Sequence, residues 1–437
     1  MLASSDLRDG LLLGHEIEAP VRTMGFGAAA EPVQGPKAVW HGREGHLLAV
    51  APSGAGKSTG YVLPTAALYP GNCLFLDPKG ELCRASAARR RAMGHTVLRI
   101  DPYNIADTGP DGAQDASLNP LDLLDLHSPE LLDDAMVLAS NLVASDGLRD
   151  PHWEIRAREF LAGMLVMCKL LPGDLSTLYG LRMMLSQDTD GLGAVLAAMR
   201  TSPQFGGFLR PCANGLLGIP DKERGSILST MSRDLFFALA PGMRRAAGPS
   251  TFKLSDFAEK DGVTIYLCIP PDRLTTLAPF IRLWVACLIK VLITRKTKPK
   301  HRTLLVLDEL GQLGRLDLLV NLITLIRGYH VDVFGLVQDL GQLKTLYPAE
   351  WRTIVNNCSS VLAFGFRNAA IAEAAAELTG YAGSQSLLGL DDHSVVLTQP
   401  GKVARLVRRP SSFEDPLLRS LLERPAKRAA RGDGGRE

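Results

Sequence analysis

The densest chemistry in the sequence lies between Leu47 and Thr59, LLAVAPSGAGKST. An apolar run ends in a loop of small residues, and the loop ends in Gly56-Lys57-Ser58. Small side chains let backbone N–H groups wrap a chain of phosphate oxygens. The Lys57 ammonium supplies a point charge for the β- and γ-phosphates, and the Ser58 hydroxyl can ligate Mg²⁺. A helix starting near Lys57 would aim its positive end at the same anion. This predicts a P-loop cradle for ATP and Mg²⁺ built from Ala51, Pro52, Ser53, Gly54, Ala55, Gly56, Lys57, Ser58 and Thr59. The usual first glycine of the pattern is Ala51 here. Alanine costs little there if its φ is negative, and Gly54 and Gly56 keep the loop permissive.

A second site of chemistry is Asp308-Glu309, delivered by the apolar run TLLVLDEL (303–310). A hydrophobic strand that brings an acid beside the phosphates is the Walker B arrangement, in which the Asp orders Mg²⁺. The adjacent Glu309 can act as general base toward water. Downstream, Gln338 ends the next strand, where its amide can reach the γ-phosphate or the attacking water. Arg327 lies near the end of the intervening helical stretch. Two roles are open to it: a favourable cation at a helix C-terminus, or an arginine finger that reaches a neighbouring subunit's nucleotide.

The elements that must position these residues follow from hydrophobic periodicity. After the P-loop helix, CLFLD (73–77) and HTVLRID (95–101) read as buried strands, separated by a helix over 82–93 that carries Arg89-Arg90-Arg91. Asp77-Pro78-Lys79-Gly80-Glu81 falls at a strand's carboxyl end, where open α/β sheets place ligands. From about Asp122 to Met243 strand signals give way to 3.6-residue periodicity. The strand signal returns with GVTIYLCIPP (262–271), TLLVLDEL, VDVFGLVQD (331–339) and SVLAFGF (360–366). Helices are expected over 277–293, 318–330, 348–356 and 369–380. Alternating strands and helices predict a parallel, doubly wound α/β sheet, here interrupted by an all-α insertion. The boundaries drawn are a lead-in at 1–44, a nucleotide-binding domain in two parts at 45–121 and 249–385, the inserted all-α domain at 122–248, and a C-terminal extension at 386–437. That extension is expected to be partly disordered, above all from Arg424, where Arg, Ala and Gly dominate.

Bulk properties exclude some alternatives. Charged residues make up 22% of the 437-residue chain and the formal net charge is +2, so any DNA-facing basic surface has to be local. Seven scattered cysteines without a C-x-x-C pair read as free thiols in a reducing compartment. The two most apolar helical stretches, Phe160–Leu171 and Leu277–Ile293, are broken by Lys169 and by Arg282 and Lys290. They fall short of the roughly 18 to 20 residues a membrane span needs.

In this order LLAVAPSGAGKST, LFLDPKGEL, SLNPLD, KERGSILSTMSRDL (222–235), TIYLCIPPDRL, LLVLDEL, VQDLGQLKTLYP and VNNCSSVLAFGF resemble the type IV secretion coupling proteins, over about Gly45 to Gly380. These are hexameric ATPases that pass DNA and protein substrates into conjugation machines. The resemblance implies a RecA-like nucleotide-binding domain with an inserted all-α domain. It also implies a homo-hexamer with nucleotide at its subunit interfaces and DNA gripped by its backbone in a central channel. Implied partners are a relaxase (relaxosome) or effector proteins and the inner-membrane components of the secretion system. The implied location is the cytoplasmic side of the bacterial inner membrane. Lys57, Ser58, Asp308 and Glu309 match the Walker residues, Gln338 the family's sensor-like glutamine, and Arg327 lies in the helix that carries its trans-acting arginine. Asp77, Lys79 and Glu81 match its DPKGE segment without individual roles.

Members of that family usually begin with transmembrane helices. Their absence here points to a soluble piece or a soluble variant recruited by a membrane partner. The short C-terminal region argues against a chromosome-type translocase with a DNA-reading end domain. Candidates for a backbone-tracking basic channel are Lys222, Arg224 and Arg233, the Arg89–Arg91 cluster and the RKTKPKHR turn (295–302). The competing expectation is a recruitment module, in which ATP switches assembly while the helical domain binds a relaxase or effector.

Overall fold

The computed structural model describes residues 10–17, 37–42, 44–110, 112–143, 151–312, 326–381 and 383–423, together with 315, 320 and 323. Its strands are β1 (Leu12–Glu16), β2 (Ala38–Trp40), β3 (His46–Val50), β4 (Cys73–Leu76), β5 (Thr96–Ile100), β6 (Gln114–Asp115), β7 (Val263–Leu267), β8 (Thr303–Leu307), β9 (Val331–Val337), β10 (Cys358–Phe364), β11 (Ser394–Thr398) and β12 (Arg405–Arg408). They form one sheet in the order β2-β1-β12-β11-β10-β3-β9-β8-β4-β7-β5-β6. From β10 to β6 every pairing is parallel; from β10 outward to β2 every pairing is antiparallel.

The parallel centre follows from composition. β3, β4, β7, β8 and β9 are buried along their whole length. Continuous Val/Ile/Leu runs without polar alternation suit a sheet covered on both faces. These strands, with β5 and β10, are the ones the apolar runs predict. The flanking β1, β2, β11 and β12 are not anticipated by the sequence reading. They attach the residues before the P-loop and after Gly383 to the same sheet, so the C-terminal extension is ordered through Glu423. The expected tail disorder beyond Arg424, and most of the helix expected over 318–330, lie outside the described residues. Of that helix, Ile326–Tyr329 forms a single tight turn.

Two helices matter for the site. The chain leaves the P-loop in a wide first turn over Ser58–Val62 and continues as α1 (Leu63–Leu68). α2 (Glu81–Ala92) follows β4 and ends with Met93 before Gly94, whose φ is +89°. Between β6 and β7 the described chain is helical, with its longest helices at Pro151–Lys169 and Asp221–Asp234. The apolar faces of these helices join the main core. All seven cysteines are buried free thiols. Among the described residues no helix is long and apolar enough to cross a membrane.

Candidate active site

Parallel register brings the chemistry together. Leu307 at the end of β8 pairs with Leu76 of β4 on one side and Gly335 of β9 on the other, and Val337 of β9 pairs with Val50 of β3. The P-loop, Gln338, Asp308-Glu309 and Asp77-Pro78-Lys79 therefore all leave the carboxyl ends of four neighbouring strands. They line one cleft of about 1000 Å³.

The loop has the backbone its sequence requires. Gly54 and Gly56 take φ of +74° and +88°, and Ala51 is not among the left-handed residues, so alanine is tolerated at that position. Ala51 N–H donates to the Val337 carbonyl at 3.2 Å, tying the loop to β9. The Lys57 ammonium lies buried across the loop, 2.7 Å from the Ala51 carbonyl and 3.2 Å from that of Pro52. Burial lowers its pKa, while the carboxylates of Glu309 and Asp308 oppose the shift. Ser53 and Thr59 line the cleft, and Ala55 is buried beneath it.

Ser58 Oγ stands 3.3 Å from Asp308 Oδ2. A hydroxyl and a carboxylate converging beside a P-loop are the hard oxygen donors that Mg²⁺ prefers, so the residues present fit that ion. Burial raises the Asp308 pKa, and the Glu309 charge adds to the effect. Such a carboxylate gains from a cation. Glu309 sits at φ +61°, a left-handed backbone that is costly for a non-glycine residue. This turn sends its side chain across to β9, where Gln338 Nε2 donates to Glu309 Oε2 at 2.9 Å. Gln338 is itself held through its N–H, which donates to Gln342 Oε1 at 3.1 Å.

Arg327 is not brought to this cleft. Its guanidinium is half exposed and pairs with Glu44 at 2.8 Å. Its carbonyl accepts from Arg302, whose guanidinium forms a buried two-point pair with Asp332 at 2.5 and 2.9 Å. Within the other two basic channel candidates, Arg90 and Arg302 are withdrawn from solvent, while Arg91, Lys296, Lys298 and Lys300 are exposed. Arg90 is fully buried, donating to Thr264 Oγ1 at 2.8 Å and to the Tyr69 and Gly71 carbonyls, and meeting His95 Nδ1 at 3.0 Å. Arg89 and Arg91 donate to the Ala67 and Gly112 carbonyls. In the 295–302 turn, Arg295 holds the Ala258 and Tyr329 carbonyls and Arg302 is buried. Arg233 remains exposed, beside Asp234.

Asp77, whose role the sequence leaves open, lines the cleft and also ties down the start of α2. Its carboxylate accepts the Cys83 N–H at 2.8 Å, and burial pushes its pKa up to about 6. Gly80 follows at φ +65°, where a Cβ would strike the Ile105 carbonyl at 2.7 Å.

Several site residues escape sequence reading. Arg367, after β10, donates to the Ser53 and Gly54 carbonyls at 3.4 and 3.0 Å. Arg409, after β12, donates to the Gly56 carbonyl at 3.1 Å and lies against Gly60. Ser412 binds the Thr59 carbonyl through its N–H at 3.1 Å and its hydroxyl at 2.7 Å. Phe413, Arg419, Leu422 and Glu423 complete one wall of the cleft. The short alternating runs SVVLT and RLVR, and Asp415-Pro416 as a helix start, were the available signals.

Against known proteins, residues 21–387 match the family model described as Type IV secretory system Conjugative DNA transfer. The chain belongs to this family. It is 27% identical over 403 residues to conjugal transfer protein TraG of Escherichia coli, covering 87% of this chain and 62% of the relative. It is 28% identical over 328 residues to protein VirD4 of Rhizobium radiobacter, covering 74% and 46%. The chain thus spans about half to three-fifths of the length of these curated relatives. Among solved structures the bacterial conjugative coupling protein TrwBΔN70 superposes with a TM-score of 0.64 at 17% identity, over 83% of this chain and 84% of that one. TrwB has also been solved with a non-hydrolysable GTP analogue and with ADP and Mg²⁺. The likeness establishes the fold as a RecA-like P-loop domain with a helical domain. As a member of the coupling-protein family, the chain is part of the conjugation and type IV secretion group.

Proposed function

We propose that the cleft binds and hydrolyses Mg²⁺–ATP, and that turnover moves DNA, with its attached relaxase or with effector proteins, into a type IV secretion apparatus at the inner membrane. One observation carries this reading. Lys57, the Ser58–Asp308 pair and the Glu309–Gln338 pair meet at the carboxyl ends of β3, β8 and β9. In-line attack on a γ-phosphate needs charge neutralisation and an oriented water more than covalent chemistry. Mg²⁺, which Ser58 and Asp308 would hold, supplies neutralisation at the phosphate oxygens when bound. Lys57 exchanges the loop carbonyls for phosphate oxygens. Glu309 takes the proton of the attacking water as the γ-phosphoryl bond to ADP breaks, and the Gln338 amide fixes the carboxylate's rotamer.

Arg327 pairs with Glu44 and does not line the cleft of its own chain, which fits a finger serving a neighbour's cleft. A ring of six copies would satisfy it, with Lys222, Arg224 and Arg233 on the helical domain as the proposed contacts to the DNA backbone. The test is steady-state hydrolysis of Mg²⁺–ATP by the wild type, Lys57→Ala and Glu309→Gln. Both variants are expected to lose at least about a hundredfold in turnover. Wild-type turnover in Lys57→Ala overturns the reading.

A further inference from the structure

The cleft has an end that the triphosphate chemistry does not use. Asp308, Glu309 and Gln338 draw the γ-phosphate to one side of the P-loop. Thr59, Val62, Leu63 and Phe413 line the same cleft and take no part in that chemistry. Phe413 is 68% exposed. A single exposed aromatic is ordinary on a protein surface, but this one is held in place on both sides. Ser412, only 2% exposed, is fastened twice to the Thr59 carbonyl. Asp415 caps the helix Pro416–Leu422 by accepting the Leu417 and Leu418 N–H groups at 3.0 and 3.2 Å. Leu418 is buried against Ala67 and Leu68 of α1. The segment is therefore locked onto the helix that follows the P-loop, and it holds an apolar ring at the cleft wall one residue beyond its contact with Thr59.

We propose that Phe413 is the stacking face of a nucleobase subsite, formed by residues 412–423 over Val62 and Leu63, which takes the purine of the bound nucleotide. Aromatic faces bind any base through its π-surface, and the flat apolar ring gains by covering area now open to water. The inference rests on the P-loop cleft being a nucleoside-triphosphate site.

Calorimetric titration with Mg²⁺–AMP-PNP and with Mg²⁺–tripolyphosphate separates the two claims, using wild type, Phe413→Ala and Phe413→Trp. Loss of one stacked base should weaken AMP-PNP binding by Phe413→Ala roughly 5- to 150-fold. Tripolyphosphate, which carries no base, should bind that variant as it binds the wild type, which also shows the loop intact. Phe413→Trp should restore AMP-PNP affinity. The subsite is overturned, with the P-loop reading standing, if Phe413→Ala binds AMP-PNP as the wild type does or weakens both ligands equally. A wild type that binds neither ligand overturns both.

Discussion

Gly60→Ala is a substitution whose sign separates local propensity from the packing described here. Gly60 lies in the first turn after the P-loop, where alanine gains about 1 kcal/mol over glycine from helix propensity alone. In this fold a Cβ at Gly60 would stand 2.8 Å from Arg409 Cγ, 2.9 Å from Cδ and 3.0 Å from Nη1. The near part of that side chain cannot swing clear without moving its head group off the Gly56 carbonyl, to which it donates at 3.1 Å. Overpacking of this kind costs about 1 to 3 kcal/mol. The Gly56 carbonyl keeps the Gly60 N–H at 2.8 Å and the Thr59 hydroxyl at 3.5 Å, so loss of Arg409 costs the lower part of the range for a charge-assisted bond, about 1.5 kcal/mol.

Because the strained atoms lie in the phosphate loop, the cost comes out of nucleotide binding. Calorimetric Kd values for Mg²⁺–AMP-PNP need no two-state unfolding assumption, which a chain of this size does not license. In the wild-type background Gly60→Ala should weaken binding by roughly 5- to 30-fold, at 1.4 kcal/mol per tenfold. In an Arg409→Ala background it should cost nothing further, giving a coupling energy of about 1 to 2 kcal/mol. Equal losses in both backgrounds, or no loss in the wild type, refute the argument that Arg409 braces the loop.

Other expectations follow from the same contacts. Arg302→Met leaves Asp332 buried opposite a methionine, an uncompensated buried charge that should clearly lower the urea midpoint of unfolding; Arg302→Met with Asp332→Asn should recover most of that shift. For Asp77, burial raises the pKa from the ordinary 3.8 to about 6. The folded chain therefore binds that proton more tightly than the unfolded one. The resulting destabilisation is absent below pH 3.8, grows as pH rises toward 6 and is complete above it. Asp77→Asn should flatten the pH dependence of the melting temperature over that window. Arg327→Ala should leave AMP-PNP affinity within about twofold of the wild type while removing most turnover, since its side chain is bound to Glu44 outside the cleft.

What was legible in the sequence was what apolar burial dictates. The strands β3, β4, β7, β8 and β9 are uninterrupted apolar runs because both faces of a parallel sheet are covered, and the loops that follow them carry the P-loop and Asp308-Glu309. The flanking antiparallel strands mix polar with apolar residues, so β11 (SVVLT) and β12 (RLVR) hid within a segment of weak pattern. With them were hidden Arg409, Ser412 and Phe413, whose part in the site depends on a chain reversal that no local spacing encodes. Arg90 shows the opposite error. A run of three arginines suggests a solvated basic face, yet Arg90 is buried because the turn after α1 (Tyr69 and Gly71 carbonyls), the start of β7 (Thr264) and His95 just before β5 together offer its guanidinium four partners. The Arg327 reading had two branches, and the pairing with Glu44 places it outside its own cleft without deciding between them.

The central claim, a DNA-moving ATPase assembled from several copies, is tested most directly by steady-state ATP hydrolysis measured with and without DNA across a range of protein concentrations. The account predicts turnover per chain that rises with DNA and rises steeply with protein concentration, because Arg327 must come from a neighbour. Slow turnover indifferent to both would contradict it and leave a nucleotide-switched recruitment module in its place.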